Sequence, residues 1–466
     1  MSAFEPLPYQ RGIVAIRGEA AHPLSGGGRR MEQADQSTTV QPQAEATRPL
    51  RGARAYWILG ALVGGIIAGA LSSRLPEAVQ GGILQAANAI GGMWLNALKM
   101  TVIPLIMALM ITAVARGADA ARTGRIAATS LVWFALLYVG SATIGAIVTP
   151  LLVRLFPLPE ATAEALRNGI AAIDPVETAS PVPGVSDFFQ SLISPNIFAS
   201  AAADHVLPLV IFALLFALAV SRLPAVNREP IQSFFQSVAE ALLVLIGWIL
   251  WVAPLGVFAL SLGVGNGAGA AALSAIFHYI IVISSVGIVM TAIAYLLARA
   301  AGGVRLLAFG KAMLGPQTIA ITTQSSLVSL PAMLGSARLL RISEDVADVT
   351  LPLAVALFRG TGPAMNLAVV IYIAHAFGMD LSLTQLLAAT AIASVMSYSS
   401  VSLPGQIGFF SAIAPIAVAA GVPVAPLALF VAVETIPDVF RTLGNVTLDV
   451  AVASAVRRPV GDGPLR

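Results

Sequence analysis

Runs of apolar residues follow one another along most of this chain, separated by short polar connections. The first six runs begin near Tyr56, Ala87, Ala127, Leu207, Phe234 and Leu273. Several of them reach the roughly 20 residues that a helix needs to cross a bilayer. The pattern therefore predicts an all-α polytopic membrane protein.

Beyond the sixth run, a serine-rich segment followed by proline interrupts the apolar pattern twice. The segments are QSSLVSLP (324–331) and SYSSVSLPGQIG (397–408), and the apolar halves around each are too short to cross a membrane alone. Non-helical backbone at membrane depth must lie in protein or in a wet cavity. The segments therefore predict re-entrant helical hairpins at about 305–333 and 383–415. The alternative is a pair of kinked packing helices whose serines bond to backbone.

Each predicted hairpin precedes an apolar run, so that the residues 305–377 and 383–456 have the same order of elements. This order predicts an inverted repeat. Discontinuous segments at matching places in two halves point to a binding site near the midplane of the membrane.

The last apolar segment, PDVFRTLGNVTLD (437–449), carries a stripe of polar residues on one predicted helical face. The residues of this stripe are Asp438, Arg441, Thr442, Asn445 and Asp449. A charge at the centre of a membrane helix costs roughly 2.5–3.5 kcal/mol, so the stripe indicates a binding site. The alternative is an internal ion pair, in which Asp438 and Arg441 neutralise each other.

Composition supports a membrane location and excludes some chemistry. The chain is 57% hydrophobic and 11% charged, whereas soluble domains are about 25% charged. It has no cysteine, which excludes disulfides and thiolate sites. A net charge of +3 gives no reason to expect a nucleic-acid partner.

Charge placement predicts the topology. Residues 1–53 are polar and aperiodic, which is typical of a disordered tail, although Met31 is an alternative start. Arginines precede the first apolar run and follow the second, fourth and sixth, whereas the third is followed by acidic residues. Cationic connections stay in the cytoplasm. We therefore expect a multi-pass protein of the cytoplasmic (inner) membrane, with both this tail and the tail 457–466 on the cytoplasmic side.

Several ordered segments carry a resemblance to one family. They are LKMTVIPLIMALMITAVARGADAARTGRIA (98–127), SPNIFASAAADHVLPLVIFALLFALAVS (194–221), APLGVFAL (253–260), QSSLVSLP, SVSLPG and DVFRTLGNVTLD. Over about residues 55–456 the chain resembles the dicarboxylate/amino acid:cation symporters, which include the glutamate transporters. The resemblance implies eight transmembrane helices, two re-entrant hairpins and a homotrimer that works by an elevator mechanism.

The resemblance also implies two functional parts within a transporter core at 54–456. Scaffold helices would lie at about 55–118 and 195–265. A mobile transport domain would comprise about 126–156 and 268–456, including both hairpins, with the second hairpin as gate.

The resemblance assigns roles in a substrate site. Arg441 offers a planar fork that binds the side-chain carboxylate of an acidic substrate bidentately. Asp438 would take a substrate ammonium, which favours aspartate or glutamate over a plain dicarboxylate. The other expected substrate-binding residues are Ser326, Thr442, Asn445, Ser402, Leu403 and Gly362.

The chain departs from the family in its seventh helix. Sodium-coupled relatives carry Asn-Met-Asp-Gly-Thr where this chain has FRGTG (358–362), so Phe358 and Gly360 replace two sodium ligands. Two further ligand positions, in the third helix, fall on Leu137 and Tyr138. We hypothesise that Arg359 pairs with Asp449 and takes the place of a sodium ion. The alternative is a slip in the alignment.

The coupling ion stays open at this point. The cation site, or its substitute, would comprise Arg359, Asp449, Asn445 and Ser397. Asn366 lies where proton-coupled relatives place a glutamate. The remaining possibilities are a proton on Asp438, residual Na⁺ at a backbone site near Ser397, or no coupling; no other metal or cofactor is expected.

The expected function is secondary active transport of acidic amino acids, with sodium coupling lost or weakened. A C4-dicarboxylate transporter and a conventional sodium:dicarboxylate/amino acid symporter are the alternatives, and an anion channel would share the fold. A serine hydrolase would need a base beside a hairpin serine, and no histidine or lysine motif accompanies either hairpin. The expected partners are an acidic substrate, membrane lipid and two further copies of the chain.

Overall fold

The computed structural model describes residues 50–121, 124–171, 193–203, 206–268, 270–399 and 405–460, and throughout these ranges the ordered elements are α-helices. The predicted all-α class is confirmed for them. The helices are α1 Leu50–Ser72, α2 Glu77–Ala121, α3 Arg125–Leu155, α4 Glu160–Ala171, α5 Ile197–Ala202, α6 Val206–Ser221, α7 Ala225–Trp251, α8 Ala253–Ala268, α9 Ala270–Ala300, α10 Leu306–Thr323, α11 Ser326–Leu339, α12 Glu344–Leu357, α13 Gly362–Ala376, α14 Leu383–Ser399, α15 Gly405–Ala419, α16 Leu427–Phe430 and α17 Thr435–Val460.

Most of both predicted tails lies outside the described residues. Helix α1 begins at Leu50 and α17 continues to Val460, so each helix extends a few residues into the sequence expected to form a tail. In the described ranges, six segments are long and apolar enough to cross a membrane: Glu77–Thr112, Arg125–Leu155, Ala225–Trp251, Ala271–Ala300, Glu344–Ala376 and Thr435–Val456. Eight transmembrane helices stay a prediction.

Helices α1, α2, α6, α7 and α8 pack mainly against one another. Helix α1 lies along α8, and α2 contacts α6, α7 and α8. The backbones of α1 and α8 touch at glycines: a Cβ atom at Gly69 or Gly265 would clash with the carbonyl oxygen of Leu262 or Ile66. Because glycine has no side chain, α1 and α8 can approach each other closely at these two positions.

A second set of contacts joins α3 to the helices from α9 onward. Helix α9 packs along α17, α13 packs against α3, and α17 also contacts α10, α11 and α12. Every side chain of α13 except that of His375 is buried. The candidate site lies among these helices, and the division into a scaffold and a mobile transport domain stays a prediction.

The first predicted hairpin folds as a helix–turn–helix, α10–Gln324–Ser325–α11. The turn uses a left-handed residue, Gln324 (φ 50°), and the Ser325 side chain accepts a hydrogen bond from the Val328 N–H at 3.4 Å. The hydroxyl of Ser336 donates to the carbonyl oxygen of Ala312 at 2.7 Å, which holds the two helices side by side. The first interrupted segment is thus a pair of helices, and its re-entrance into the membrane stays a prediction.

In the second interrupted segment, α14 and α15 pack against each other, and residues 400–404 lie outside the described part. A broken helix follows each pair. Residues 358–361 separate α12 from α13, and residues 431–434 separate α16 from α17. Both breaks bring backbone groups and polar side chains into the interior, where the candidate site forms.

Candidate functional site

A cluster of three charged side chains lies at the start of α17. The Arg441 Nη1 group donates hydrogen bonds to Glu434 Oε1 and, at 3.1 Å, to Asp438 Oδ1. The side chain of Glu434 is fully buried, and those of Arg441 and Asp438 are each 13% exposed. The ion pair considered as the alternative for Asp438 and Arg441 is therefore present, with a second carboxylate added.

The guanidinium of Arg441 is nevertheless not fully used by the protein. Its Nε and Nη2 atoms are buried and have no hydrogen-bond partner in the part of the chain that the structure describes. Together these two nitrogens form one edge of the planar fork, and such an edge binds a carboxylate through two parallel hydrogen bonds. The donors of this edge therefore suit a carboxylate, and such a contact would leave the ion pairs at Nη1 in place.

The hydroxyl of Ser326, at the first position of α11, is a second unused donor. It is buried and has no partner among the described residues. Helix α11 packs against α17, and the Gln324 side chain donates to the carbonyl oxygen of Thr435 at 3.3 Å. The tip of the first helix pair is thus attached to the helix that carries Arg441, as the predicted substrate site requires. The other expected contributors at a tip, Ser402 and Leu403, lie outside the described residues.

Glu434 belongs to the site although the sequence reasoning missed it. It lies in the turn before α17, four residues before Asp438 and seven before Arg441, so it extends the polar stripe at helical spacing. This spacing in the sequence is the signal that identifies Glu434 as a further residue of the site. Tyr279 of α9 donates to Glu434 Oε2 at 3.3 Å, and its ring stacks on Phe430 at 4.0 Å between centroids.

Asn445 connects α17 to the break in the preceding helix. Its amide oxygen accepts a hydrogen bond from the Thr361 N–H at 2.9 Å and lies 2.7 Å from the Thr361 hydroxyl. The same hydroxyl is 2.9 Å from the carbonyl oxygen of Arg441. Asn445 thus positions the break, and its contact with substrate, like that of the buried Thr442, stays a prediction.

Tyr138 of α3 occupies the region where the family resemblance predicts a sodium ligand. Its buried hydroxyl donates to the carbonyl oxygen of Leu357 at 2.6 Å and lies 3.1 Å from that of Ser397. It accepts a hydrogen bond from the Arg359 N–H at 2.9 Å. Phe358 stacks on Phe134 at 4.6 Å and also contacts Tyr138. Aromatic rings and one hydroxyl therefore fill this part of the break.

Asp449 and Arg359 are electrostatic neighbours but are not hydrogen-bonded to each other. Asp449 is fully buried, and neither of its carboxylate oxygens has a hydrogen-bond partner in the described ranges. The charge of Arg359 acts on this carboxylate, while Arg359 Nε and Nη2 are likewise buried without partners there. Direct pairing of the two groups stays a prediction.

Gly362 is close to both of these regions. A Cβ atom added at Gly362 would lie 3.4 Å from the Ser397 hydroxyl and 3.6 Å from the Arg359 Cβ. Gly362 of α13, Ser397 of α14 and Asn445 of α17 thus come together around the 358–361 break.

In the described ranges, helices alone, several apolar spans and a buried cluster of charges are the features of a membrane transporter. The chain belongs to the sodium:dicarboxylate symporter family, whose family model matches residues 55–458. This confirms the predicted family, and it places the chain in a family of multi-pass transporters rather than of enzymes.

The relatives are named for two kinds of substrate. The chain is 26% identical over 412 residues to the proton/glutamate-aspartate symporter of Escherichia coli (strain K12), covering 84% of this chain and 89% of that protein. It is 25% identical over 401 residues to a proton/sodium-glutamate symport protein of Bacillus caldotenax, with 84% and 91% covered. It is 26% identical over 385 residues to C4-dicarboxylate transport protein 2 of Bradyrhizobium diazoefficiens, with 80% and 81% covered.

Proposed function

We propose that this protein is a symporter of acidic amino acids, aspartate or glutamate, whose transport does not require sodium. The observation that carries the proposal is the Nε–Nη2 edge of Arg441, which has no hydrogen-bond partner among the described residues and belongs to the same guanidinium that binds Asp438. The edge suits one carboxylate of an acidic amino acid, and Asp438 suits its ammonium group. Relatives named as glutamate or aspartate symporters support this substrate class.

A C4-dicarboxylate is the second candidate, because several relatives are named as C4-dicarboxylate transport proteins. Such a substrate would also bind to Arg441, but it has no ammonium to pair with Asp438. The carboxylate of Asp438 would then face a second anion at close range, which is unfavourable unless one of them is protonated. The amino acid is therefore the better match to the charges present.

The contacts around residues 358–361 support the loss of sodium coupling. The Tyr138 hydroxyl donates to the carbonyl oxygen of Leu357 and lies 3.1 Å from that of Ser397, so it fills the space beside two oxygens of the kind that a Na⁺ site needs. Phe358 and Gly360 supply no side-chain oxygen. In this proposal Arg359 provides the positive charge opposite Asp449, so that the buried carboxylate needs no ion.

The family resemblance adds to the proposal a homotrimer, an elevator motion and the second hairpin as gate. The placement of the arginines adds cytoplasmic termini. One feature of the surface is compatible with an oligomer in lipid. Helix α7 carries large exposed apolar side chains, among them Phe234 (62% exposed), Trp248 (67%) and Trp251 (71%). A face of this kind needs lipid or a second copy to cover it.

Binding of labelled aspartate and succinate to the purified protein, with and without sodium and across a range of pH, tests the proposal. We expect aspartate to bind with the same affinity in sodium and in potassium salts. Arg441→Ala should abolish this binding while the oligomeric state is kept. Succinate binding without aspartate binding would reject the role of Asp438, and sodium-dependent aspartate affinity would reject sodium independence.

A further inference from the structure

The charges of the Arg441 cluster do not balance once an acidic substrate is added. The cluster contains one guanidinium and two carboxylates, those of Glu434 and Asp438, so its net charge is −1 when both acids are ionised. Bound aspartate or glutamate carries two carboxylates and one ammonium, and it would add a further −1. Uncompensated charge in a buried site is costly, so binding should be linked to the uptake of a cation.

Glu434 is the member of the cluster that is best placed to take up a proton. Its side chain is fully buried, whereas that of Asp438 is 13% exposed and has the substrate ammonium as a partner in the proposed function. Once a substrate carboxylate shares Arg441, the attraction between Arg441 and Glu434 is divided between two anions. A neutral carboxyl group then suits the buried position better than an ionised one.

The groups around Glu434 permit both protonation states. Arg441 and Asp438 face it from α17, and Tyr279 faces it from α9 with a hydroxyl 3.3 Å from Oε2. This hydroxyl can donate to the ionised acid or accept from the protonated acid. Tyr372 of α13 packs on Tyr279 and bonds instead to the carbonyl oxygen of Ala275 at 3.0 Å.

We infer that Glu434 is a proton-binding site coupled to substrate binding, so that one proton from the solvent enters with each acidic amino acid. This inference rests on the proposed function, because it needs a substrate carboxylate at Arg441. No covalent bond changes: the proton moves from water to a Glu434 oxygen when substrate binds, and it returns to water when substrate leaves.

Proton uptake during aspartate binding tests the inference directly. Calorimetric titrations at one pH, in buffers that differ in their enthalpy of protonation, give the number of protons bound per aspartate. We expect close to one proton for the wild type and close to none for Glu434→Gln, which keeps the shape of the side chain. Glu344→Gln is the matched control, since Glu344 is an exposed residue of α12, and it should behave as the wild type.

The affinity for aspartate should show the same linkage. The wild-type Kd should rise with pH, by up to about tenfold per pH unit above the pKa of Glu434, because an ionised Glu434 must take up a proton when substrate binds. The Kd of Glu434→Gln should be flat over that range. Wild-type proton uptake in Glu434→Gln, or no uptake in the wild type, would overturn the inference.

A measurement without substrate separates this inference from the proposed function. Removal of the guanidinium should leave Glu434 protonated, so infrared spectra of Arg441→Gln at neutral pH should contain the carbonyl band of a buried carboxylic acid. The band should be missing from the Arg441→Gln/Glu434→Gln double variant. Identical spectra for the two variants would overturn the inference, whereas aspartate that fails to bind the wild type would overturn the proposed function alone.

Discussion

Arg441 binds protein carboxylates through one nitrogen, while its buried Nε–Nη2 edge has no hydrogen-bond partner in the described ranges. One nitrogen holds Glu434 and Asp438, which fixes the position of the guanidinium before any substrate arrives. The Nε and Nη2 atoms have no hydrogen-bond acceptor in the described ranges. A side chain that is already ordered loses little further entropy on binding, and this preorganisation favours affinity.

Arg441→Lys tests the importance of the planar fork as distinct from the charge. Lysine can keep an ion pair with Glu434, but it cannot present two parallel N–H groups to a carboxylate. Loss of one hydrogen bond to a charged group costs about 1.5–3 kcal/mol, so the Kd for aspartate should rise on the order of tenfold to a hundredfold. Arg338→Lys, on an exposed part of α11, is the control and should leave the Kd unchanged. An unchanged Kd in Arg441→Lys would show that bidentate binding by the guanidinium is not needed.

The pairing hypothesis for Arg359 and Asp449 makes a prediction about sodium. Arg359→Ala would leave Asp449 as a buried carboxylate without a nearby cation, and Na⁺ would then stabilise the fold by binding there. We expect sodium, compared with potassium, to raise the Tm of Arg359→Ala by on the order of 2 °C and to leave the wild-type Tm unchanged. The Arg359→Ala/Asp449→Asn double variant should lose the effect. A sodium response in the wild type equal to that of Arg359→Ala would contradict the hypothesis.

At the scale of elements, the two breaks at 358–361 and 431–434 each contribute groups to the candidate site, Arg359 from the first and Glu434 from the second. A helix break exposes backbone N–H and C=O groups, which must find partners in the interior. At the first break, Tyr138 of α3 donates to the Leu357 carbonyl oxygen and accepts from the Arg359 N–H. Asn445 of α17 accepts a hydrogen bond from the Thr361 N–H at the same break. Glu434 lies within the second break and is held by Tyr279 from α9.

Tyr138→Phe tests how much the hydroxyl contributes to the first break. The variant keeps the aromatic packing but leaves the Leu357 carbonyl and the Arg359 N–H without this partner. We expect destabilisation of about 1–3 kcal/mol, measured by thermal unfolding in detergent. Tyr398→Phe, in the same aromatic cluster but less buried, should have a smaller effect. Equal Tm values for Tyr138→Phe and the wild type would show that the hydroxyl does not stabilise the break.

The elements that depend on local pattern could be predicted from the sequence. The first hairpin was expected at 305–333 and the helix pair occupies Leu306–Leu339, because its turn is marked by serines within an apolar run. The polar stripe of α17 also follows from spacing alone. The role of Tyr138 could not be predicted, because its partner Leu357 is 219 positions away in the chain. Glu434 lies outside the predicted stripe because it precedes the helical segment in which that stripe begins.

At the scale of the whole molecule, the packing separates helices that touch the candidate site from helices that do not. Helices α1, α2, α6, α7 and α8 mainly contact one another, while α3 and the helices from α9 onward form a second set, in which α17 carries the charged cluster and packs against α3 and α9 to α12. The family resemblance predicts that the first set forms the scaffold of a trimer and that the second set moves. Neither the oligomer nor the motion follows from one chain, because both depend on contacts with other copies and with lipid.

Uptake of labelled aspartate into proteoliposomes tests the central claim most directly. The measurement compares external sodium with external potassium under an imposed proton gradient that is acidic outside. The account predicts equal uptake in the two salts, stimulation by the proton gradient and loss of uptake in Arg441→Ala. Aspartate uptake that requires sodium and ignores the proton gradient would contradict it.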